Sequence, residues 1–226
     1  MKGVLFDLDG VLVATEALKA RAHSQTVTKL GGRLDPSHYA QVMGQSHYLA
    51  AKEFSRLGGV PFEHERYAQL FKSEYGSLLE AGVKLMPGAG ELVKVLGEDG
   101  CRLAVVSSSL RWMMDVVLAQ TRLADSFEAS ISGDDVEEEK PAPDPYLKAL
   151  ASLSLEPRQA VVIEDTESGI ASANAAGLRV IAVRHEFNGR HDLSSAAAVL
   201  DSLGDTGGVV GLIDALLDVK RSISDG

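Results

Sequence analysis

Short apolar runs alternate with longer amphipathic stretches over most of this chain. From Met86 onward, apolar runs predict strands over 102–106, 127–130, 160–163 and 179–183, and apolar residues three and four apart predict helices over 88–98, 110–119, 144–152 and 168–176. A further run, Val4-Leu5-Phe6, predicts a first strand near residue 4. Because strands that alternate with helices form a parallel sheet covered by helices, the pattern predicts an α/β fold.

The stretch between the first strand and Met86 has a different pattern, in which no segment is typical of a strand. Helices are predicted over 15–30, 36–42, 46–57 and 62–80, and glycine pairs follow the first and third of them. We therefore predict an all-helical cap domain over 15–82, inserted into a core domain over 1–14 and 83–226. The segment 200–219 is predicted to close the core, with a turn over 204–208 and a last amphipathic helix over 212–217.

Chemically distinctive side chains stand where the predicted strands end. Asp7 and Asp9 follow the first strand, and Gly10 allows a sharp turn after them. Residues two apart in a strand point to the same side, so the two carboxylates begin on one face. Two acids held together repel, which favours a cation or a shared proton between them. An acidic turn after a buried strand is the alternative interpretation of this motif taken alone.

Three later segments carry matching chemistry. Ser107 follows the second strand, Lys140 precedes a proline-rich loop, and Glu164 with Asp165 follows another apolar run. Each has an ordinary explanation by itself, as a helix cap, a solvated lysine or helix-start acids. Together they deliver acid, hydroxyl, lysine and acid to the carboxyl edge of a parallel sheet, where open α/β sheets bind their ligands.

These four motifs resemble those of the haloacid dehalogenase superfamily, in the branch that contains β-phosphoglucomutase and phosphoglycolate phosphatase. The motifs are Asp7-Leu8-Asp9-Gly10-Val11-Leu12, Ser107 after its strand, Lys140-Pro141-Ala142-Pro143-Asp144, and the segment from Glu164 to Gly177. The last is the most specific, and the resemblance covers the chain from Lys2 to about residue 220. It implies a Rossmann-like parallel-sheet core with a helical cap.

The resemblance also implies a role for each motif residue. Asp7 is expected to be a nucleophile that forms an aspartyl-phosphate, and Asp9 to be the general acid and base. Mg²⁺ is expected as cofactor, held by Asp7, by Asp9 through its backbone carbonyl, and by Asp165 with Glu164. Ser107, with Ser108 beside it as a substrate-binding candidate, and Lys140 are expected to contact the phosphoryl group.

The cap is expected to supply substrate specificity, and its polar residues are the candidates. The segment Met43-Gly44-Gln45-Ser46-His47 resembles the family's cap loop that reaches the active site. The substrate-binding candidates are Glu16, Lys19, Gly44, Gln45, Ser46, His47 and Lys72. Family mutases that act on sugar phosphates carry an arginine where His47 stands and a histidine where Lys19 stands, and most relatives have an aspartate where Ala14 stands.

Composition restricts the partners more than the fold. The net charge of −10 disfavours nucleic acid and would repel a phosphorylated substrate unless a cation and placed basic groups intervene. No apolar run reaches about 20 residues, so no membrane span is predicted. The single cysteine, Cys101, cannot form an internal disulfide, and we expect no signal peptide before the first strand. We expect a cytoplasmic protein that is a monomer or a weak homo-oligomer.

The expected function is a Mg²⁺-dependent phosphatase of a small phosphorylated metabolite, with sugar and polyol phosphates as candidates. A β-phosphoglucomutase-like phosphosugar mutase is the first alternative. A catalytically weak binding or regulatory protein on the same fold is the second. A dehalogenase is disfavoured, because Asp9 is the acid and base that phosphoryl transfer needs and carbon–halogen displacement does not.

Overall fold

The computed structural model describes residues 1–218, and its centre is a six-stranded, fully parallel sheet. The strand order is β3-β2-β1-β4-β5-β6. The strands are β1 (Gly3–Phe6), β2 (Arg102–Val106), β3 (Ala129–Ile131), β4 (Ala160–Glu164), β5 (Arg179–Val183) and β6 (Ala198–Leu200). The predicted α/β fold is confirmed.

The eight α-helices of the described residues lie against this sheet or above its carboxyl edge. They are α1 (Glu16–Lys29), α2 (His47–Leu57), α3 (His64–Glu80), α4 (Ala89–Glu98), α5 (Arg111–Thr121), α6 (Asp144–Ser152), α7 (Glu167–Ala175) and α8 (Thr206–Asp218). No helix of residues 1–218 has the length and apolar character needed to span a bilayer.

Strand β1 occupies the centre of the sheet, and its position determines where the first motif lies. It pairs with β2 on one side and with β4 on the other, and all four of its residues are buried. The chain continues from Phe6 directly into Asp7, whose N–H donates to the Ile163 carbonyl at 2.9 Å. The ends of β1, β2 and β4 therefore lie side by side at one edge.

Helices α1, α2 and α3 form the segment between β1 and β2 and correspond to the predicted cap. Helix α3 buries Tyr67, Phe71, Tyr75 and Leu79, at the spacing the sequence indicates. These side chains belong to the same hydrophobic cluster as Phe6 of β1 and Leu92 of α4. The helices fall within 15–82 as predicted, and the division into two domains at those boundaries stays a prediction.

Several predicted elements differ from the structure at their ends. The stretch 36–41 is a 3₁₀ helix that begins at Pro36 and is capped by Asp35, whose carboxylate accepts from Ser37 N–H. Strand β6 is absent from the predicted elements, and α8 already begins at Thr206, within the turn expected over 204–208. The predicted closing segment ended at Val219, which lies outside the described residues.

Candidate active site

The predicted motifs come together in a cleft between the carboxyl edge of the sheet and the cap helices. The empty space of the cleft, counted together with the open solvent at its mouth, is about 650 Å³. The core contributes Asp7, Asp9, Ser107, Ser108, Ser109, Lys140 and Asp165 to its lining, and the cap contributes Glu16, Lys19, His23, Gly44, Gln45, His47 and Phe71. Three strand ends and the lysine loop thus face one space, as the sequence indicates.

Lys140 joins the first and fourth motifs. Its Nζ lies 2.6 Å from Asp7 Oδ1 and 2.7 Å from Glu164 Oε1, and it donates to the Val106 carbonyl at 3.0 Å. Burial raises the pKa of Asp7; Lys140 opposes the rise, but Glu164 and Asp9 add to it, and the result is about 8. The two carboxylates raise the pKa of Lys140 well above its usual value against the effect of burial, so the ammonium stays charged. Lys140 is therefore a fixed positive charge beside the predicted nucleophile.

Asp9 is held by four donors. Its Oδ2 accepts from Ser109 Oγ at 2.7 Å and from Ser107 Oγ at 3.3 Å, and it lies 2.7 Å from Lys19 Nζ. Thr15 Oγ1 donates to the other oxygen. Burial alone would raise the pKa of Asp9, but the charge of Lys19 and these hydrogen bonds outweigh it and hold the pKa below its usual value. In this arrangement Asp9 is an ionised carboxylate, which suits a base.

Asp165 has the properties expected of a cation ligand. Its Oδ2 contacts His185 Nε2 at 2.8 Å, and its backbone carbonyl accepts from Asn188 Nδ2 at 3.0 Å. Its Oδ1 is buried and has no hydrogen-bond partner among the described residues. Burial and the charges of Glu164 and Asp7 raise its pKa well above the usual value. A buried carboxylate oxygen without a donor is unfavourable unless a cation or proton binds it.

Mg²⁺ fits this donor set. Magnesium uses one or two protein carboxylates and retains several waters or phosphate oxygens. Within residues 1–218 no group of three or more His, Cys, Asp or Glu side chains is arranged to hold a metal by itself. The side chains of Asp7 and Asp165 line the cleft and could hold the ion, together with the Asp9 carbonyl that the family resemblance implies, while water and substrate complete its shell.

Glu164, predicted as a metal ligand, lies in a different environment from Asp165. Its Oε1 accepts from Lys140 and from Tyr146 Oη at 3.1 Å, and its Oε2 accepts from the N–H groups of Asp165 and Thr166 at 2.7 and 2.9 Å. It is fully buried and does not line the cleft. Both oxygens are already occupied, so the geometry favours a structural role in which Glu164 positions Lys140.

The cap candidates divide into those that line the cleft and those that do not. Glu16, Lys19, Gly44, Gln45 and His47 line it. Ser46 does not, because it caps α2, where its Oγ accepts from Leu49 N–H at 3.4 Å. Lys72 is exposed, and its Nζ lies 5.3 Å from the centre of the Trp112 ring, outside the cleft lining.

Some residues of the site are absent from the sequence-based predictions. Thr15 and Ser109 hold Asp9, and His185 holds Asp165. His23 lines the cap side of the cleft. Ser109 ends the Ser107-Ser108-Ser109 run, which is a usable signal, whereas the position of His185 after β5 gives none.

Comparisons with known proteins agree with this geometry. Residues 4–183 match the family model described as haloacid dehalogenase-like hydrolase. The chain is 34% identical over 208 residues to protein CbbY of Rhodobacter capsulatus, covering 87% of this chain and 91% of that protein. It is 28% identical over 200 residues to a phosphorylated carbohydrates phosphatase of Thermotoga maritima, covering 88% and 93%. The crystal structure of a CbbY mutant from Rhodobacter sphaeroides in complex with xylulose-(1,5)bisphosphate superposes with a TM-score of 0.84 at 28% identity, covering 94% and 99%.

Proposed function

The chain belongs to the haloacid dehalogenase-like hydrolase family, and on that premise we propose that it is a Mg²⁺-dependent phosphatase of a small phosphorylated metabolite. The carrying observation is the buried group in which Lys140 lies 2.6 Å from Asp7, with the unpaired Asp165 oxygen in the same cleft. Sugar and polyol phosphates are the favoured substrates, because one relative is named a phosphorylated carbohydrates phosphatase.

Asp7 is the nucleophile of this mechanism. Its ionised carboxylate, whose pKa a bound cation would lower from about 8, attacks phosphorus, the bond to the leaving alcohol breaks, and an aspartyl-phosphate forms. Lys140 and the Ser107 hydroxyl lie at the same sheet edge and stabilise the charge on the phosphoryl oxygens. Bound Mg²⁺ would supply further neutralisation of the phosphoryl group. Water then attacks the aspartyl-phosphate and regenerates Asp7.

Asp9 is the general acid and base of this mechanism. In the hydrolytic step it accepts a proton from the attacking water, for which its lowered pKa and ionised state are suited. In the first step protonated Asp9 gives its proton to the leaving alcohol, and the proton taken from water in the hydrolytic step restores that form for the next turnover.

Turnover of p-nitrophenyl phosphate and of a panel of phosphorylated metabolites, with and without Mg²⁺, tests this function. We expect Mg²⁺-dependent release of inorganic phosphate in a one-to-one ratio with dephosphorylated product. Asp7→Asn should lower kcat by at least about a thousandfold, because the covalent route is lost. Asp115→Asn, an exposed aspartate of α5, is the matched control.

Two outcomes would favour the alternatives. Conversion of a sugar 1-phosphate into its 6-phosphate with little free phosphate would identify a mutase. No turnover of any substrate would favour a binding or regulatory protein. Sugar-phosphate mutases of this family carry an arginine where His47 stands and a histidine where Lys19 stands, so we do not expect mutase activity. The complete set of Asp7, Asp9, Ser107, Lys140 and Asp165 argues against a binding or regulatory protein.

A further inference from the structure

Glu16 is a buried carboxylate of the cap that faces the cleft without a complete set of partners. It is only 5% exposed, and it lines the cleft beside Lys19. Its Oε2 has no hydrogen-bond partner within residues 1–218. A buried acceptor without a donor is costly, and a ligand that brings a donor to it removes that cost. Glu16 therefore holds an unused acceptor in the wall of the cleft, on the side formed by the cap.

Besides Glu16 and Lys19, the polar side chains that the cap contributes to the cleft are the amide of Gln45 and the rings of His23, Tyr39 and His47. His23 Nδ1 contacts Tyr67 Oη at 2.8 Å, and its ring lies 4.4 Å from that of Phe54 and 4.3 Å from that of Phe71, centre to centre. Burial lowers the pKa of His47 to about 4, and Lys19 adds to the effect. At neutral pH neither imidazole offers a positive charge to a substrate.

Both ammonium groups of the cleft are already committed to protein carboxylates. Lys19 lies 2.7 Å from Asp9, and Lys140 lies between Asp7 and Glu164. Five buried carboxylates, those of Asp7, Asp9, Glu16, Glu164 and Asp165, surround these two cations. One phosphoryl group can be neutralised here with the help of Mg²⁺, but a second anion against the cap would have no counter-ion.

We propose that the cap selects a monophosphate ester whose non-phosphate part is uncharged and donates a hydroxyl hydrogen bond to Glu16, and that it rejects bisphosphates and phosphorylated carboxylic acids. This inference rests on the phosphatase function proposed above. It separates this chain from the relative whose structure holds xylulose-(1,5)bisphosphate.

A pair of substrates that differ at one terminal group tests the selection. Glycerol 3-phosphate ends in a hydroxymethyl group where 3-phosphoglycerate carries a carboxylate. We expect kcat/KM of the wild type to be at least about tenfold higher for glycerol 3-phosphate. The kcat/KM for a hexose 6-phosphate should likewise be higher than that for the corresponding 1,6-bisphosphate.

The contribution of Glu16 is isolated by Glu16→Gln, which keeps the shape of the side chain and removes its charge. The ratio of the two kcat/KM values should fall toward one in this variant. Glu80→Gln, at an exposed glutamate at the end of α3, should keep the wild-type ratio. Circular dichroism checks that both variants fold. If Glu16→Gln does not fold, the ratio of kcat/KM values in the wild type still tests the proposed selection.

The outcomes separate this inference from the function on which it rests. Suppose that the wild type hydrolyses p-nitrophenyl phosphate, and that its kcat/KM for 3-phosphoglycerate equals that for glycerol 3-phosphate, or its kcat/KM for the bisphosphate equals that for the hexose 6-phosphate. The proposed selection is then overturned, and the phosphatase function stands. An unchanged ratio in Glu16→Gln would overturn the role of Glu16. If nothing is hydrolysed, p-nitrophenyl phosphate included, the phosphatase function fails and the selection fails with it.

Discussion

At the scale of single residues, the adjacent acids Glu164 and Asp165 have opposite surroundings. Both carboxylate oxygens of Glu164 accept hydrogen bonds from protein groups, whereas Oδ1 of Asp165 is buried and has no donor among the described residues. Burial would raise the pKa of Glu164, but Lys140 and the backbone N–H groups hold it below its usual value. At Asp165 the charge of Lys140 does not offset burial and the neighbouring acids, and the pKa is raised. One acid is therefore structural and the other is available to a cation.

The first prediction follows from this difference. Glu164→Gln should lower the free energy of unfolding by about 1–3 kcal/mol, since Lys140 loses a charged partner in a buried site, and should leave the Mg²⁺-induced rise in Tm largely intact. Asp165→Asn should do the reverse and abolish most of that rise. Thermal unfolding of both variants with EDTA and with Mg²⁺ measures the two effects. A loss of the Mg²⁺ response in Glu164→Gln comparable to that in Asp165→Asn would make Glu164 a ligand.

His47 supplies a prediction about pH. Its pKa in the folded protein is about 4 and its ordinary value is 6.5, because burial disfavours the charged imidazole. Between these values the unfolded chain binds the proton and the folded chain does not, so stability is complete above pH 6.5 and is lost as the pH falls toward 4. His47→Gln should remove about 1–2 kcal/mol of the loss between about pH 7 and about pH 4.5, after allowance for partial solvent access.

Urea unfolding at the two pH values measures this change. His38→Gln, at a half-buried histidine of the same segment that does not line the cleft, is the control. An equal loss of stability in His47→Gln and in the wild type would show that the imidazole is not held neutral.

The sequence predicted which residues share the site but not which side chains they contact. The order of acid, hydroxyl, lysine and acid at successive strand ends was sufficient to bring Asp7, Ser107, Lys140 and Asp165 to one edge. It could not show that Lys140 and Tyr146 donate hydrogen bonds to the Glu164 carboxylate, or that His185 contacts Asp165. Those contacts join residues 18 to 24 apart through packing of α6 and of the loop after β5, which local patterns do not encode.

At the scale of elements, helix α7 begins against the buried acid that precedes it. Thr166 caps the helix, since its Oγ1 accepts from Gly169 N–H at 3.1 Å, and the same hydroxyl donates to Glu164 Oε2 at 3.1 Å. A side chain at Gly169 would overlap the Glu164 carboxylate. The glycine of the fourth motif is thus required by close approach of the carboxylate, and it links the start of α7 to the position of Lys140.

Gly169→Ala should therefore lower the free energy of unfolding by about 1–3 kcal/mol, because the methyl group displaces the Glu164 carboxylate. It should also reduce kcat, since Lys140 moves with its partner. Gly97→Ala is the matched control: Gly97 lies in α4 with nothing near its missing side chain, so alanine should raise stability by about 0.5–1 kcal/mol. Chemical denaturation and kcat measurements distinguish the two, and equal behaviour would contradict the packing of α7 on Glu164.

The elements themselves were predictable where the hydrophobic pattern is long and were missed where it is short. Helix α3 and strands β2 and β5 follow the predicted ranges closely. Strand β6 has only three residues, none fully buried, and the apolar run 196–200 that contains it is mostly alanine, a residue that does not favour strands. Thr15 illustrates a second limit: it precedes α1, but its hydroxyl bonds to Asp9 rather than to the helix N-terminus, which it leaves without a side-chain cap.

At the scale of the whole molecule, excess negative charge in the cleft couples metal binding to stability. The chain carries a net charge of −10, and the cleft gathers Asp7, Asp9, Glu16 and Asp165 around the ammonium groups of Lys19 and Lys140. The cap and core helices share one hydrophobic cluster across this charged site. A cation that binds here acts only on the folded state, because the unfolded chain does not bring these residues together.

We therefore expect Mg²⁺ to raise Tm. At a concentration about 100 times Kd the stabilisation is about 2.7 kcal/mol, and for a chain of this size that corresponds to roughly 5–10 °C. Asp165→Ala should remove the rise, since it deletes the free buried oxygen, whereas Asp115→Asn at an exposed site should preserve it. Calorimetry in EDTA and in increasing Mg²⁺ measures the shift. A Tm that does not respond to Mg²⁺ in the wild type, or that responds equally in Asp165→Ala, would rule out this carboxylate as the ligand that ties cation binding to folding.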